Sequence, residues 1–198
     1  MRRYVTGLLI VVLAVGVISG CSSSDPLAEE YRSGGDQNYI SGDGSVVEFA
    51  AENRGETVEF SGVDQDGNTV TSDSYQGNPV VVNVWYAACA PCRAEAGDLE
   101  EIYQEYQEQG VDFLGVNVRD SAETASAFMR TFSVSYPSVI DTESDTGGVL
   151  LDFSGYVAAN TVPTTIVLDS QGRVSARISG SIEPSTLRSL IDTVVGEN

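Results

Sequence analysis

The sequence predicts an α/β fold: a central β-sheet of mixed strand directions, flanked by helices. Three observations carry this. Short apolar runs alternate with stretches of helical period, the most apolar run (79–85, PVVVNVW) is nearly all β-branched, and a turn-linked strand pair precedes a last amphipathic helix. The chain has 198 residues, 41% of them hydrophobic, which suits one ordinary domain with appendages.

The elements follow in order. Residues 46–59 and 69–74 flank Asp66-Gly67-Asn68, a hairpin signal that heads the domain as an N-terminal extension. The 79–85 run fits a strand buried on both faces. A helix follows to about Gln109, with Leu99, Ile102, Tyr103 and Tyr106 recurring at one face and Gly110 closing it. Residues 111–118 (VDFLGVNV) make a second buried strand. A helix opens at Ser121, with Ala127, Phe128 and Phe132 along one face. Residues 137–141 suit a short strand, and 148–155 a helical turn or loop. Strands at 164–169 and 173–179 flank Ser170-Gln171-Gly172, and the helix over 183–195 turns Leu187, Leu190, Ile191 and Val194 inward.

The N-terminus reads as an address. Arg2 and Arg3 precede an apolar stretch (8–18, LLIVVLAVGVI) that is short of the roughly 20 residues a bilayer span takes. A basic start, an apolar core and small residues describe a secretory signal peptide over 1–20. Ile18-Ser19-Gly20-Cys21 resembles the bacterial lipobox, which implies that Cys21 is acylated and becomes the new N-terminus. Residues 21–45, rich in Ser, Gly, Asp and Asn, then form a flexible tether of about 25–30 Å. The folded domain occupies 46–198, outside the cytoplasm and lipid-anchored at the membrane.

Charge excludes several functions. Ten bases, all arginine, face 29 acids for a net charge of −19, and −21 once residues 1–20 are removed. Such a chain repels phosphate backbones, so no nucleic-acid partner is expected. Without histidine there is no Ser-His-Asp triad, no Cys-His pair and no histidine ligand for zinc or haem. The acidity fits either adaptation to high salt or a lineage that prefers Arg to Lys; both stay open.

The chemistry sits at the end of the 79–85 strand, at Cys89-Ala90-Pro91-Cys92. A cysteine at a helix N-terminus meets unpaired N–H groups and the positive end of the helix dipole, which favour the thiolate that attacks disulfides. Pro91 suits a first turn that does not need its N–H. The spacing sets Cys92 beside Cys89 and deeper in the turn, so one thiol attacks and the other resolves. Competing chemistry lacks its residues. Structural zinc needs four ligands, and c-type haem attachment needs His where Arg93 stands. A peroxiredoxin-like site wants Pro and Thr or Ser where Val82 and Tyr86 stand. No cofactor and no metal are expected.

Residues 83–95 (NVWYAACAPCRAE) resemble the active site of the thioredoxin superfamily, and are most similar to the membrane-tethered TlpA/ResA-like thiol–disulfide oxidoreductases. Thr161-Val162-Pro163-Thr164-Thr165 resembles that family's cis-proline loop. The likeness implies a thioredoxin-like fold over about 46–198, a cis peptide at Val162–Pro163 against the cysteine pair, and a Val162 backbone free to pair with substrate. It implies that Glu95 exchanges a proton with Cys92, against the plainer alternative of an acid suited to a first helical turn. Asn83 stands where cytoplasmic thioredoxins carry a buried aspartate, so that base is absent. Trp85 is expected as core and cleft wall beside the substrate. Ala88 replaces the Trp that often precedes the attacking cysteine, with Tyr86 as a partial substitute. The implied partners are protein thiols and disulfides, apocytochrome c among them, and a membrane thiol-transfer protein as electron donor. A general extracellular oxidant or isomerase, or a non-catalytic binding lipoprotein with a structural disulfide, are the alternatives.

Overall fold

The computed structural model describes residues 45–144, 148–158 and 161–197. The signal peptide, Cys21 and the tether before Ser45 lie outside the described residues. The strands are β1 (Val46–Glu48), β2 (Ser61–Val63), β3 (Thr69–Thr71), β4 (Val80–Trp85), β5 (Asp112–Asn117), β6 (Ser138–Ile140), β7 (Thr164–Leu168) and β8 (Val174–Ser179). The helices are α1 (Ala90–Tyr106), α2 (Ala122–Phe132), α3 (Gly148–Asp152) and α4 (Pro184–Val195). Six strands form one sheet in the order β1-β8-β7-β4-β5-β6, while β2 and β3 pair separately as an antiparallel hairpin. β4, β5 and β6 run parallel; β7, β8 and β1 add antiparallel partners on the other side. This is the mixed, helix-flanked sheet with a hairpin extension that the sequence predicts.

β4 is the axis of the molecule. All six of its residues are buried, and they alternate between two cores. Val80, Val82 and Val84 pack with Leu114, Val116, Ile166 and Leu168 beneath Phe60 and Phe153. Val81 packs on the other side with Phe113 and Val167 beneath Leu99 and Ile102 of α1 and Leu187 and Ile191 of α4. Full burial of a valine or isoleucine contributes roughly 1.5–3 kcal/mol, so a strand buried on both faces is held firmly in place. The ends of α1 and α4 are also joined by polar contacts. The Tyr106 hydroxyl donates to Asp192 at 2.7 Å, and Arg188 bridges Glu101 and Glu105.

Two local expectations are corrected, the first hairpin strand and the buried face of α2, while the helical turn read at 148–155 is found. The first hairpin strand is β2 at 61–63, not the 46–59 segment. Val46–Glu48 instead pairs with β8, and the Ser179 N–H donates to the Ser45 carbonyl at 2.7 Å. The chain between them turns at Ala51–Asn53 and crosses the β7–β8 turn, because Arg54 is drawn into a buried ion pair with Asp169 at 3.0 Å. On α2 the buried face is Ala125, Phe128 and Met129; Ala127 is exposed and Phe132 only half-buried. The i, i+3, i+4 set fits the underlying core better than the predicted triad does. Residues 148–155 start as the short helix α3, which covers the first core with Val149.

Arg54 also bridges Glu197 near the chain's end, and Arg173 reaches Asp169 at 2.8 Å. Burial alone would raise the Asp169 carboxyl, but the bonds it accepts from Arg173, Arg54 and Gln171 hold it below the usual range. Its contribution to stability is therefore present at neutral pH and lost as pH falls through that lowered value. Removing one partner of a buried pair strands the other charge. Arg54→Met should accordingly cost about 3 kcal/mol, at the lower end because Arg173 remains. The measurement is a fall in the urea midpoint at pH 7 with an unchanged denaturant slope.

Candidate active site

β4 ends at Trp85, and the loop 86–88 carries the chain to Cys89, which caps α1. The Cys89 N–H donates to the Tyr86 carbonyl at 3.1 Å, and the Cys92 N–H donates to the Cys89 sulfur at 3.2 Å. Pro91 lies in the first turn of α1. Cys89 and Cys92 form a disulfide, with Sγ–Sγ 2.07 Å. Cys92 is expected to be the less exposed of the two, and both residues are nearly covered, Cys92 at 2% and Cys89 at 3% exposed.

The 161–165 segment arrives from the neighbouring strand. Val84 pairs with Thr164, so β7 starts beside the end of β4. The peptide before it, Val162–Pro163, is cis, and Val162 packs on the cluster that contains both cysteines. Trp85 faces the core. It is 5% exposed, lies 4.4 Å from Phe128 and donates its Nε1–H to the Ser138 hydroxyl at 2.9 Å. Gly115 makes room for that bond, since a Cβ there would stand 2.5 Å from the Ser138 oxygen and 2.9 Å from the indole nitrogen. Trp85 is thus an inner wall behind the pair with little surface left for a substrate. A cavity of about 10 Å³ adjoins it, lined by Cys92, Asn83, Ser138 and Tyr136 among others, and has room for about one water molecule.

Glu95 is buried on the first turns of α1. Its Oε1 accepts from the Asn83 amide at 3.2 Å and its Oε2 from the Ile182 N–H at 2.9 Å. The same Asn83 nitrogen donates to the Thr165 hydroxyl at 3.1 Å. Burial pushes the Glu95 carboxyl up to about 7, and the bonds from Ile182 and Asn83 keep it from rising further. Glu95 is three residues, about one helical turn, along α1 from Cys92.

The structure thus gathers Cys89, Cys92, Glu95, Val162, Pro163 and Trp85 at one end of the sheet. Cys21 lies outside the described residues. Other contributors were not legible beforehand. The Ile182 amide is 87 residues from its partner. Asp120 accepts from the Ala87 N–H at 2.6 Å and so fixes the loop before Cys89. Arg119 lies over the Tyr86 ring at 4.2 Å. Only Asn83 carried a signal, as the one polar residue within an otherwise apolar strand. Among the described residues no group of His, Cys, Asp or Glu could hold a metal ion.

Comparison with known proteins agrees with this geometry. The AhpC/TSA family model matches residues 54–177. The thiol-disulfide oxidoreductase ResA of Geobacillus thermodenitrificans is 29% identical over 131 residues, covering 66% of this chain and 71% of that protein. Among solved structures, a DsbF homologue from Corynebacterium diphtheriae superposes with a TM-score of 0.66 at 31% identity, over 79% of this chain and 98% of that one. A secreted thiol-disulfide isomerase from Corynebacterium glutamicum gives 0.67 at 30% identity, over 80% and 96%.

The raised Glu95 carboxyl has a consequence for stability. A group whose proton is held more tightly in the folded state stabilises below its unfolded value, near 4.5, and loses that contribution as pH rises through about 7. In the oxidised protein, where the thiols do not titrate, wild type should lose roughly 2–3 kcal/mol more between pH 5 and pH 8 than Glu95→Gln does. Urea unfolding at the two pH values measures the difference; equal losses would place the charge elsewhere.

Proposed function

The chain belongs to the AhpC/TSA family and is a thiol–disulfide oxidoreductase of thioredoxin-like fold, similar to ResA, and from that premise we propose that it reduces protein disulfides outside the cytoplasm, in cytochrome c maturation. The observation that carries the reading is the Cys89–Cys92 disulfide at a helix N-terminus against the cis Val162–Pro163 loop. The reduced protein starts the cycle. The Cys89 thiolate attacks one sulfur of a substrate disulfide, and that S–S bond breaks as the mixed disulfide forms. The released substrate thiolate takes up a proton. The Cys92 thiol gives its proton to Glu95, and its sulfur attacks Cys89, expelling the second substrate thiolate, which is protonated in turn. Two electrons pass to the substrate, and Cys89–Cys92 is left as the disulfide. A membrane thiol-transfer protein restores the dithiol by the same exchange in reverse.

Residues 1–20 act as the export signal, the lipid on Cys21 holds the protein at the outer face of the membrane, and 21–45 tether a catalytic domain at 46–198. An acidic chain gains nothing from anionic headgroups, so acyl chains must do the holding, and two suffice where one is marginal. Val162 offers its backbone to the substrate strand, and Pro163 keeps that strand beside the sulfurs.

Reduction of insulin by the full-length chain, with dithiothreitol as donor, tests the exchange. Wild type should precipitate the insulin B chain well ahead of the uncatalysed control, and Cys89→Ser should fall to that control; equal inactivity of both ends the reading. Cys92→Ser cannot resolve, so it should accumulate covalent partners on Cys89. Recovery of CxxCH-bearing polypeptides supports the haem-pathway substrate, and their absence from cells rich in such cytochromes argues for a general oxidant or isomerase. Cys21→Ala should leave a larger precursor with the signal uncleaved; an unchanged size would refute the anchor.

A further inference from the structure

Ten arginines carry the positive side-chain charge of this chain against 29 acids, so each arginine has carboxylates to choose from. Among the described residues, Arg54, Arg173 and Arg188 all take them. Arg93, Arg119, Arg130 and Arg177 do not, and of these four Arg93 and Arg119 are the two that touch the loop before Cys89. Both are exposed, and neither has a carboxylate within ion-pair distance among the described residues. Each guanidinium lies on an aromatic ring instead, Arg93 at 5.1 Å from the Phe132 centroid and Arg119 at 4.2 Å from that of Tyr86.

Their anchor points are adjacent. Arg119 covers Tyr86, and Arg93 makes a long bond of 3.5 Å to the Ala87 carbonyl, so both cations are fastened to the short loop that delivers Cys89. Asp120, next to Arg119 in sequence, turns its carboxylate inward to the Ala87 N–H and to the Asn117 amide at 2.8 Å. An aromatic ring supports the face of a guanidinium and leaves most of its N–H donors uncommitted, Arg93 spending only one of them, on Ala87, and such a fork matches a carboxylate. Asp120 and Glu123 on the same stretch keep the neighbourhood from being a broad positive field, so any selection here works at contact range.

We propose that Arg93 and Arg119 select the substrate, receiving Asp or Glu side chains that flank the cysteine attacked by Cys89. This rests on the thiol–disulfide exchange reading above and adds a sequence preference to it. At about 0.15 M salt the Debye length is about 8 Å, so the acidity of the whole chain is largely screened while contact pairs persist. Each exposed pair multiplies affinity by roughly 1.5- to 5-fold, and two together should give about a five-fold preference.

The test uses the full-length chain, reduced, with three cyclic disulfide peptides that differ only in having Asp, Asn or Lys beside the cysteines. Each rate is divided by the rate of the same peptide with dithiothreitol alone, which removes the effect of the flanks on the disulfide itself. The normalised Asp-to-Asn ratio should be about five in wild type and near one in R93Q/R119Q, and R93E/R119E should reduce the Lys peptide faster than the Asp peptide. A wild-type ratio near one overturns the proposal, as does a ratio that R93Q/R119Q leaves in place. If no peptide is reduced faster than by Cys89→Ser, the exchange reading falls and this one with it. Equal reduction of all three peptides removes this one alone.

Discussion

The antiparallel pairing of Val84 with Thr164 is the constraint on which the site depends. It joins two segments that lie 80 residues apart in the chain and fixes them before any side chain acts. On one side of it the chain runs out of β4 into the loop that ends at Cys89. On the other, the peptide just before Thr164 is the cis Val162–Pro163 bond. Because β4 is buried on both faces and bonded on both edges, neither segment can slide without breaking two cores at once. A one-residue slip would also turn every valine of the strand to the wrong core. The reactive end is therefore as well positioned as the least yielding part of the fold.

Polar chemistry enters this apolar frame at a single step of β4. Asn83 lies on the face that α1 covers, where Val81 and Trp85 also point, and it meets Glu95 there. A neutral amide can donate to a carboxylate whichever way that carboxylate is titrated, so it supports the acid without competing for its proton. The Ile182 N–H completes the arrangement from the β8–α4 connection. Three separated stretches of sequence thus hold one carboxyl in place. Burial, the largest influence on it, sets where that carboxyl titrates.

Much of this was legible in the sequence, for physical reasons that differ by element. The β4 run and the inward face of α4 declare themselves because burial demands apolar residues at a fixed period. The cysteine pair declares itself because so few residue types do its chemistry. The partner of β1, the buried face of α2 and the Ile182 contact did not, because each is decided by what the rest of the chain offers rather than by the local pattern. Val46 and Val47 suit any strand edge and nothing in their local pattern names β8, while Arg54, which fastens the chain just after them to Asp169, is a buried cation that no periodicity reveals. The bare guanidinia of Arg93 and Arg119 were equally hidden, since their lack of ion pairs exists only in three dimensions.

The bond between Ser179 and Ser45 sets a polarity for handling the molecule. Ser179 pairs with Thr164, and Thr164 with Val84, so Ser45 stands at the redox end of the sheet, three strands and roughly 15 Å across from β4. Glu197, tied to Arg54 beside the β7–β8 turn, stands at the opposite end. A bead, electrode or fusion partner joined at the front of the folded part would press against the working surface. The same attachment made at the back would leave that surface facing open solvent.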